Sequence, residues 1–216
     1  MKATGSRASG ESWRTWYTNE DNRYDAFTQK PTAQYSLAYE KASIIFNISA
    51  VLSCHAAHQN RHEDVGLKTA YHSFQASAGM FTYINENFLH APSTDLSRET
   101  VKTLIAVMLA QAQETFLEKT IADGKKVGLL AKLASQAAFL YTQATEGATE
   151  NVNKAVFEKV WLLVCQVRLP DYWSKQATDQ VADKSKPHGF GSAILPGLGG
   201  QRCQFTWYIH MSTTGC

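Results

Sequence analysis

The chain has 216 residues, 44% hydrophobic and 19% charged, with four cysteines and a formal net charge of +2. That length suits one domain or a little more, and the apolar content supports a sizeable core and excludes wholesale disorder. A charge so near balance, without any long Lys/Arg block, gives no argument for nucleic acid. No run of about 18 apolar residues is present to span a membrane.

Three zones differ in texture. Residues 1–23 are polar and aperiodic; they are basic and Ser-rich but lack the apolar run of a signal peptide. Residues 24–169 carry an almost continuous helical pattern. Residues 170–216 are Gly/Pro-rich, lose periodicity and read as a disordered tail. Cys54, Cys165, Cys203 and Cys216 are far apart and form no C-x-x-C pair. Cys54 and Cys165 fall in helical patterns and read as small buried hydrophobes.

The middle zone predicts five helices. The first covers about residues 32–58, with Leu37, Ile44, Ile45, Ile48, Val51 and Leu52 recurring at helical spacing. The second starts at Asn60, with Glu63 as capping-box partner, and runs to about residue 88. Its stripe is Leu67, Tyr71, Phe74, Ala78, Phe81 and Ile84. Ser97 caps the third, whose core face is Val101, Leu104, Ile105, Met108 and Ala112. Gly124 ends it in the C′ role. The fourth covers about residues 125–145. The fifth, about 151–168, carries Phe157, Val160, Trp161, Val164 and Val167 and stops before Pro170. Successive helices with short links, and no strand alternation of useful length, imply antiparallel packing in a bundle or an α-solenoid.

The third and fourth helices form a hairpin about Gly124. Residues equidistant from the turn come abreast, which sets Phe116 near Leu133 and Lys119 near Leu129. The fourth helix's main stripe is Val127, Leu130, Ala134, Ala137, Tyr141 and Ala144. At about 100° per residue, Leu133 lies about 60° to one side of Leu130, Leu129 about 100° and Leu140 about 80°. This arc is wider than one packing neighbour needs. On the third helix the core stripe runs out through Thr115 and Lys119 towards solvent. Leu129 and Leu133 therefore either pack on another helix of the domain or form an exposed apolar strip flanked by Lys119, Lys125, Lys126 and Lys132. Such a strip suits an amphipathic helix with acidic flanks.

Catalytic constellations are missing. His55, His58 and His62 lie beside Cys54 near a helix end, but no second ligand group completes a metal set. GFGSAI, residues 189–194, lacks the third glycine of a nucleotide loop. Glu114 and Glu118, four residues apart, read as a solvated face. No cofactor and no metal are expected.

Several blocks are distinctive together: YDAFTQKPTAQYSLAYEKASIIFNISAVLSCHAA at 24–57, EDVGLKTAYHSFQASAGMFTYI, LSRETVKTLIAVMLAQAQETFLEK, LLAKLASQAAFLY and VFEKVWLLVCQV. In this order they resemble the BRO domain (the BRO-one domain) of the ALIX-like family. The likeness is closer to the fungal class E vacuolar protein-sorting branch than to the pH-signalling branch. It implies an all-α body of antiparallel helical hairpins in a tetratricopeptide-like α-solenoid core. It covers residues 24–169, as a partial domain without the family's N-terminal sheet region and C-terminal helices.

The resemblance also implies a non-enzymatic adaptor. The family binds the C-terminal amphipathic helix of the ESCRT-III filament subunit, is cytoplasmic, and is recruited peripherally to endosomes for multivesicular-body cargo sorting to the vacuole. The family's contact positions fall here on Phe116, Lys119, Leu129, Leu133 and Asp64. Recruitment of a deubiquitinating enzyme would need family regions that this sequence does not show. Two alternatives stay open: a pH-signalling scaffold of the same family, and a truncated, non-functional fragment.

Overall fold

The computed structural model describes residues 23–34, 36–88 and 91–167. The expected aperiodic N-terminal segment and the expected disordered tail, with Cys203 and Cys216, lie almost wholly outside these residues. The described elements are β1 (Arg23–Tyr24), β2 (Pro31–Thr32), α1 (Leu37–Ala57), α2 (Asp64–Asn87), α3 (Arg98–Ala122), α4 (Val127–Asn153) and α5 (Lys159–Val167).

The main packing is between helices consecutive in sequence. Cross-helix pairs fix their direction. Lys41 lies against Tyr83 and Ser49 against Ser77; Asp64 meets Lys119, and Tyr71 meets Phe116; Thr103 meets Asn151, and Gln113 meets Leu133. In each pair one helix ascends while the other descends, so the fold is a run of antiparallel hairpins, the expected all-α solenoid arrangement.

The first predicted helix starts later than the sequence reading, because residues 31–32 pair with 23–24 in a two-residue antiparallel ladder. Asp25 shapes the turn between them: its Oδ1 accepts from Phe27 N–H and Thr28 N–H. This is the local side-chain-to-backbone bonding that makes Asp a turn residue. The turn delivers Phe27 to the start of α5, where its ring lies 4.7 Å from that of Phe157, just before the helix, and 5.5 Å from that of Trp161 within it.

Ser36 caps α1 by accepting from Tyr39 N–H. The apolar set read on α1 lies mostly outside the core, with only Ile45 and Leu52 half-buried. Leu37, Ile44, Ile48 and Val51 are exposed, while Tyr39, Ala42, Phe46, Ala50 and Ala56 are buried. The helix is apolar on two faces, and periodicity alone does not choose between them. The face of small residues wins because α2 approaches closely there. Ser49 donates to the Ser77 carbonyl at 2.8 Å and Ser77 donates to the Ser49 carbonyl at 2.9 Å. Branched side chains at that crossing would hold the helices apart.

The expected cap of α2 also moves. Glu63, not Asn60, is the N-cap, and it makes no side-chain cap bond. Asn60 instead bonds the Glu63 carboxylate and accepts from His62 N–H, forming a turn outside the helix. That turn folds back onto Gly66, where a Cβ would collide with the Asn60 carbonyl. The α2 stripe itself faces the core as read, with Tyr71 half-buried at its edge.

Ser97 caps α3 as expected, accepting from Thr100 N–H. The α3–α4 turn also matches: Gly124 has φ +64°, the left-handed region that glycine occupies without strain. α4 runs further than expected, to Asn153, and α5 begins later, at Lys159. Gly147 does not break α4. It sits where a Cβ would crowd Thr103 of α3, so the missing side chain allows close packing. Asn151 locks the crossing by donating to Thr103 Oγ1 and accepting from Thr100 Oγ1.

An ion pair ties the first turn to the α2–α3 connection. Asp95 accepts from Arg23 at 2.7 and 3.1 Å and from Ala26 N–H at 2.9 Å. Arg23 also donates to Ser93 and Tyr39. Burial disfavours the Arg23 charge, but Asp95 and Tyr39 outweigh that, and its pKa is raised.

Candidate functional site

The surface of interest is assembled at the closed end of the α3–α4 hairpin. Phe116 and Lys119 lie one turn apart on α3. Leu129 and Leu133 lie one turn apart on α4, and Asp64 opens α2. Phe116 is 36% exposed and Leu129 45%, both large apolar side chains left open to solvent. Leu133 is half-buried, and its carbonyl accepts from Gln113 Nε2 at 3.2 Å, so the residue bonded to it across the hairpin is Gln113, about one turn before Phe116.

The α4 stripe separates into two halves. Ala137, Tyr141, Ala144, Ala148 and Asn151 are buried, whereas nothing from Val127 to Gln136 is fully buried. Val127, expected on the core stripe, is exposed. The first turns of α4 therefore reach beyond the packed body, and the choice left open by the sequence goes to exposure for Leu129. Lys125, Lys126 and Lys132 are exposed around it.

Asp64 and Lys119 are brought together directly, with Lys119 Nζ 2.6 Å from Asp64 Oδ1. Lys119 also reaches Asp123 at 3.1 Å, and Asp64 also accepts from Lys68 at 2.6 Å. Hydrogen bonds from Lys119 and then Lys68 hold the Asp64 carboxyl below its ordinary pKa, and bonds to Asp64 and Asp123 raise that of Lys119. All these groups are solvated, so the chain is a tether between α2 and α3 more than a store of folding energy.

Two readings of α3 are corrected. Thr115 does not lead into solvent: it is fully buried and donates to the Gln111 carbonyl. Glu114 and Glu118 are not a solvated face. Glu114 is 2% exposed and accepts from Tyr141 at 2.6 Å. Glu118 pairs with Arg61 at 3.3 Å with both side chains largely covered. Sequence spacing on one helix could not show that Tyr141 and Arg61 arrive from neighbouring ones. Reasoning from α3 and α4 alone also missed Tyr71, whose ring centroid lies 5.4 Å from that of Phe116.

Cys165 is buried as expected, while Cys54 is only half-buried. The neighbouring imidazole of His58 takes its hydrogen bond at the Cys54 carbonyl, 2.8 Å away. Among the described residues no group of three or more His, Cys, Asp or Glu could hold a metal ion. No helix among them is long and apolar enough to cross a membrane.

A stack of antiparallel helices presenting an apolar strip edged by lysines has the form of a helical scaffold. The chain belongs to the BRO1-like domain family, whose model matches residues 15–194. It is 82% identical over 171 residues to the vacuolar protein-sorting protein bro-1 of Neurospora crassa, covering 79% of this chain and 17% of that protein. It is 69% identical over 171 residues to vacuolar protein-sorting protein bro1 of Aspergillus fumigatus, again 79% of this chain and 17% of the relative. Among solved structures it is similar to an ALIX BRO1–CHMP4C complex, with TM-score 0.59, 32% identity, and 74% of this chain and 48% of that one covered. A Bro1-domain structure concerned with endosomal targeting gives TM-score 0.60 at 25% identity, covering 77% of this chain and 46% of that one. The chain thus spans a small part of its curated relatives and about half of the ALIX BRO1 chain.

Proposed function

We propose that this chain contributes the ESCRT-III-binding face of a non-enzymatic adaptor in endosomal multivesicular-body sorting. Its ligand is the C-terminal amphipathic helix of the ESCRT-III filament subunit. Phe116, Leu129 and Leu133 receive the apolar face of that helix, and Lys119 with Asp64 borders it. The observation that carries the reading is the exposed apolar strip on the unburied first turns of α4, ringed by lysines. The similarity to a BRO1–CHMP4C complex supports it, and the names of the fungal relatives favour the vacuolar-sorting branch over the pH-signalling one. Recruitment to endosomes follows from the same contact.

A buried leucine anchor contributes about 1.5–3 kcal/mol by transfer, and a carboxylate in its place adds a desolvation cost. Leu133→Asp is therefore expected to weaken binding of a synthetic ESCRT-III C-terminal helix about a hundredfold or more, with an unchanged circular dichroism spectrum. Unimpaired binding by a folded Leu133→Asp chain would refute the assignment.

A further inference from the structure

We infer that Tyr71 of α2 is a positioning residue of the docking surface, holding the Phe116 ring in the orientation that meets the partner. The inference rests on the proposed helix-binding role of this face. Both α3 residues of the face are engaged from the α2 side: Lys119 by Asp64, and Phe116 by Tyr71. The Tyr71 and Phe116 centroids lie 5.4 Å apart with an interplanar angle of 34°, within the range of favourable aromatic pairs.

Tyr71 is suited to this because it is the more buried of the two rings. It packs against the hydrophobic core, its hydroxyl accepts from Gln75 Nε2 at 2.9 Å, and the His72 ring lies 5.2 Å from its own. Phe116, by contrast, is partly open to solvent. Without a lateral support its ring would sample several rotamers, and a partner would have to order it on binding. A ring already stacked against a more buried neighbour avoids that ordering cost. The docking surface then draws on α2, α3 and α4.

The test is calorimetric titration of the full chain with a synthetic ESCRT-III C-terminal helix. Tyr71→Phe keeps the ring and loses only the Gln75 bond, so it should bind within about twofold of the parent. Tyr71→Leu keeps apolar volume but loses the stack, and should bind about three- to tenfold more weakly. In a Phe116→Leu background, the same Tyr71→Leu change should add less than about twofold, because its effect passes through Phe116. A purely structural role would give the same loss in both backgrounds and would overturn the inference, as would parent-like binding by Tyr71→Leu. Full binding by Leu133→Asp would instead overturn the underlying site, so the two failures are distinguishable.

Discussion

Replacing Asp95 by Ala should be among the costliest single changes outside the hydrophobic core. Asp95 is fully buried and receives three hydrogen bonds, two from Arg23 and one from Ala26 N–H. Its removal leaves the Arg23 guanidinium, whose side chain is only 15% exposed, without its counter-charge. Breaking one side of such a pair costs about 3–5 kcal/mol. The stranded Ala26 N–H adds about 1 kcal/mol. Ser93 and Tyr39 still accept from Arg23 and recover part of this, so about 3–4 kcal/mol is expected. Urea unfolding followed by far-ultraviolet circular dichroism gives the value by linear extrapolation. Arg23→Met should also be costly, since it strands the Asp95 carboxylate. The double variant Arg23→Met/Asp95→Ala should cost about 2 kcal/mol less than the two single losses added, as expected of directly coupled partners. A loss below about 1 kcal/mol for Asp95→Ala, or simple additivity, would refute the reasoning.

The tether at the candidate site should respond to pH in a fixed direction. Because bonds from Lys119 and Lys68 lower the Asp64 pKa, its stabilising contribution is complete above the unfolded Asp value of about 3.9 and is lost as pH falls through the lower folded value. Carboxyl NMR titration should place Asp64 below an ordinary aspartate, and Lys119→Met should move it upward; no movement would mean that the ion pair does not form in solution. The outward orientation of the branched α1 side chains can be checked by stability: Ile48→Gln should cost less than about 1 kcal/mol, whereas Ala50→Leu, at a fully buried position, should cost about 1–3 kcal/mol. Equal costs by urea titration would mean that α1 is rotated from the orientation described.

What the sequence disclosed and what it hid have a common physical origin. Local rules held where the determinant is local: Ser97 as a cap and Gly124 as the left-handed end of α3. They failed where a neighbouring helix decides. On α1 two apolar faces compete, and the crossing at Ser49 and Ser77 settles which one is covered. Glu114 looks solvent-facing until Tyr141 arrives from α4. At the candidate site, Phe116, Lys119, Leu129, Leu133 and Asp64 were reached through a family pattern together with helical geometry. Tyr71 was legible only as a stripe residue, because its second role depends on which way the Phe116 ring leans.

The division of α4 into a packed half and an open half has a consequence for its local opening. From Ala137 to Asn151 the helix is pinned by buried residues, including two interhelical hydrogen-bonding side chains, Tyr141 and Asn151. From Val127 to Gln136 it has no fully buried residue, and its N-cap, Lys126, supplies no capping bond. Few buried contacts and exposed backbone hydrogen bonds are the marks of a segment with a low free energy of local unfolding. The first turns of α4 thus form the low-stability end of the hairpin, and they carry Leu129 and Leu133. A helix laid across them would supply the burial they lack, so occupancy and local order on this surface would rise together.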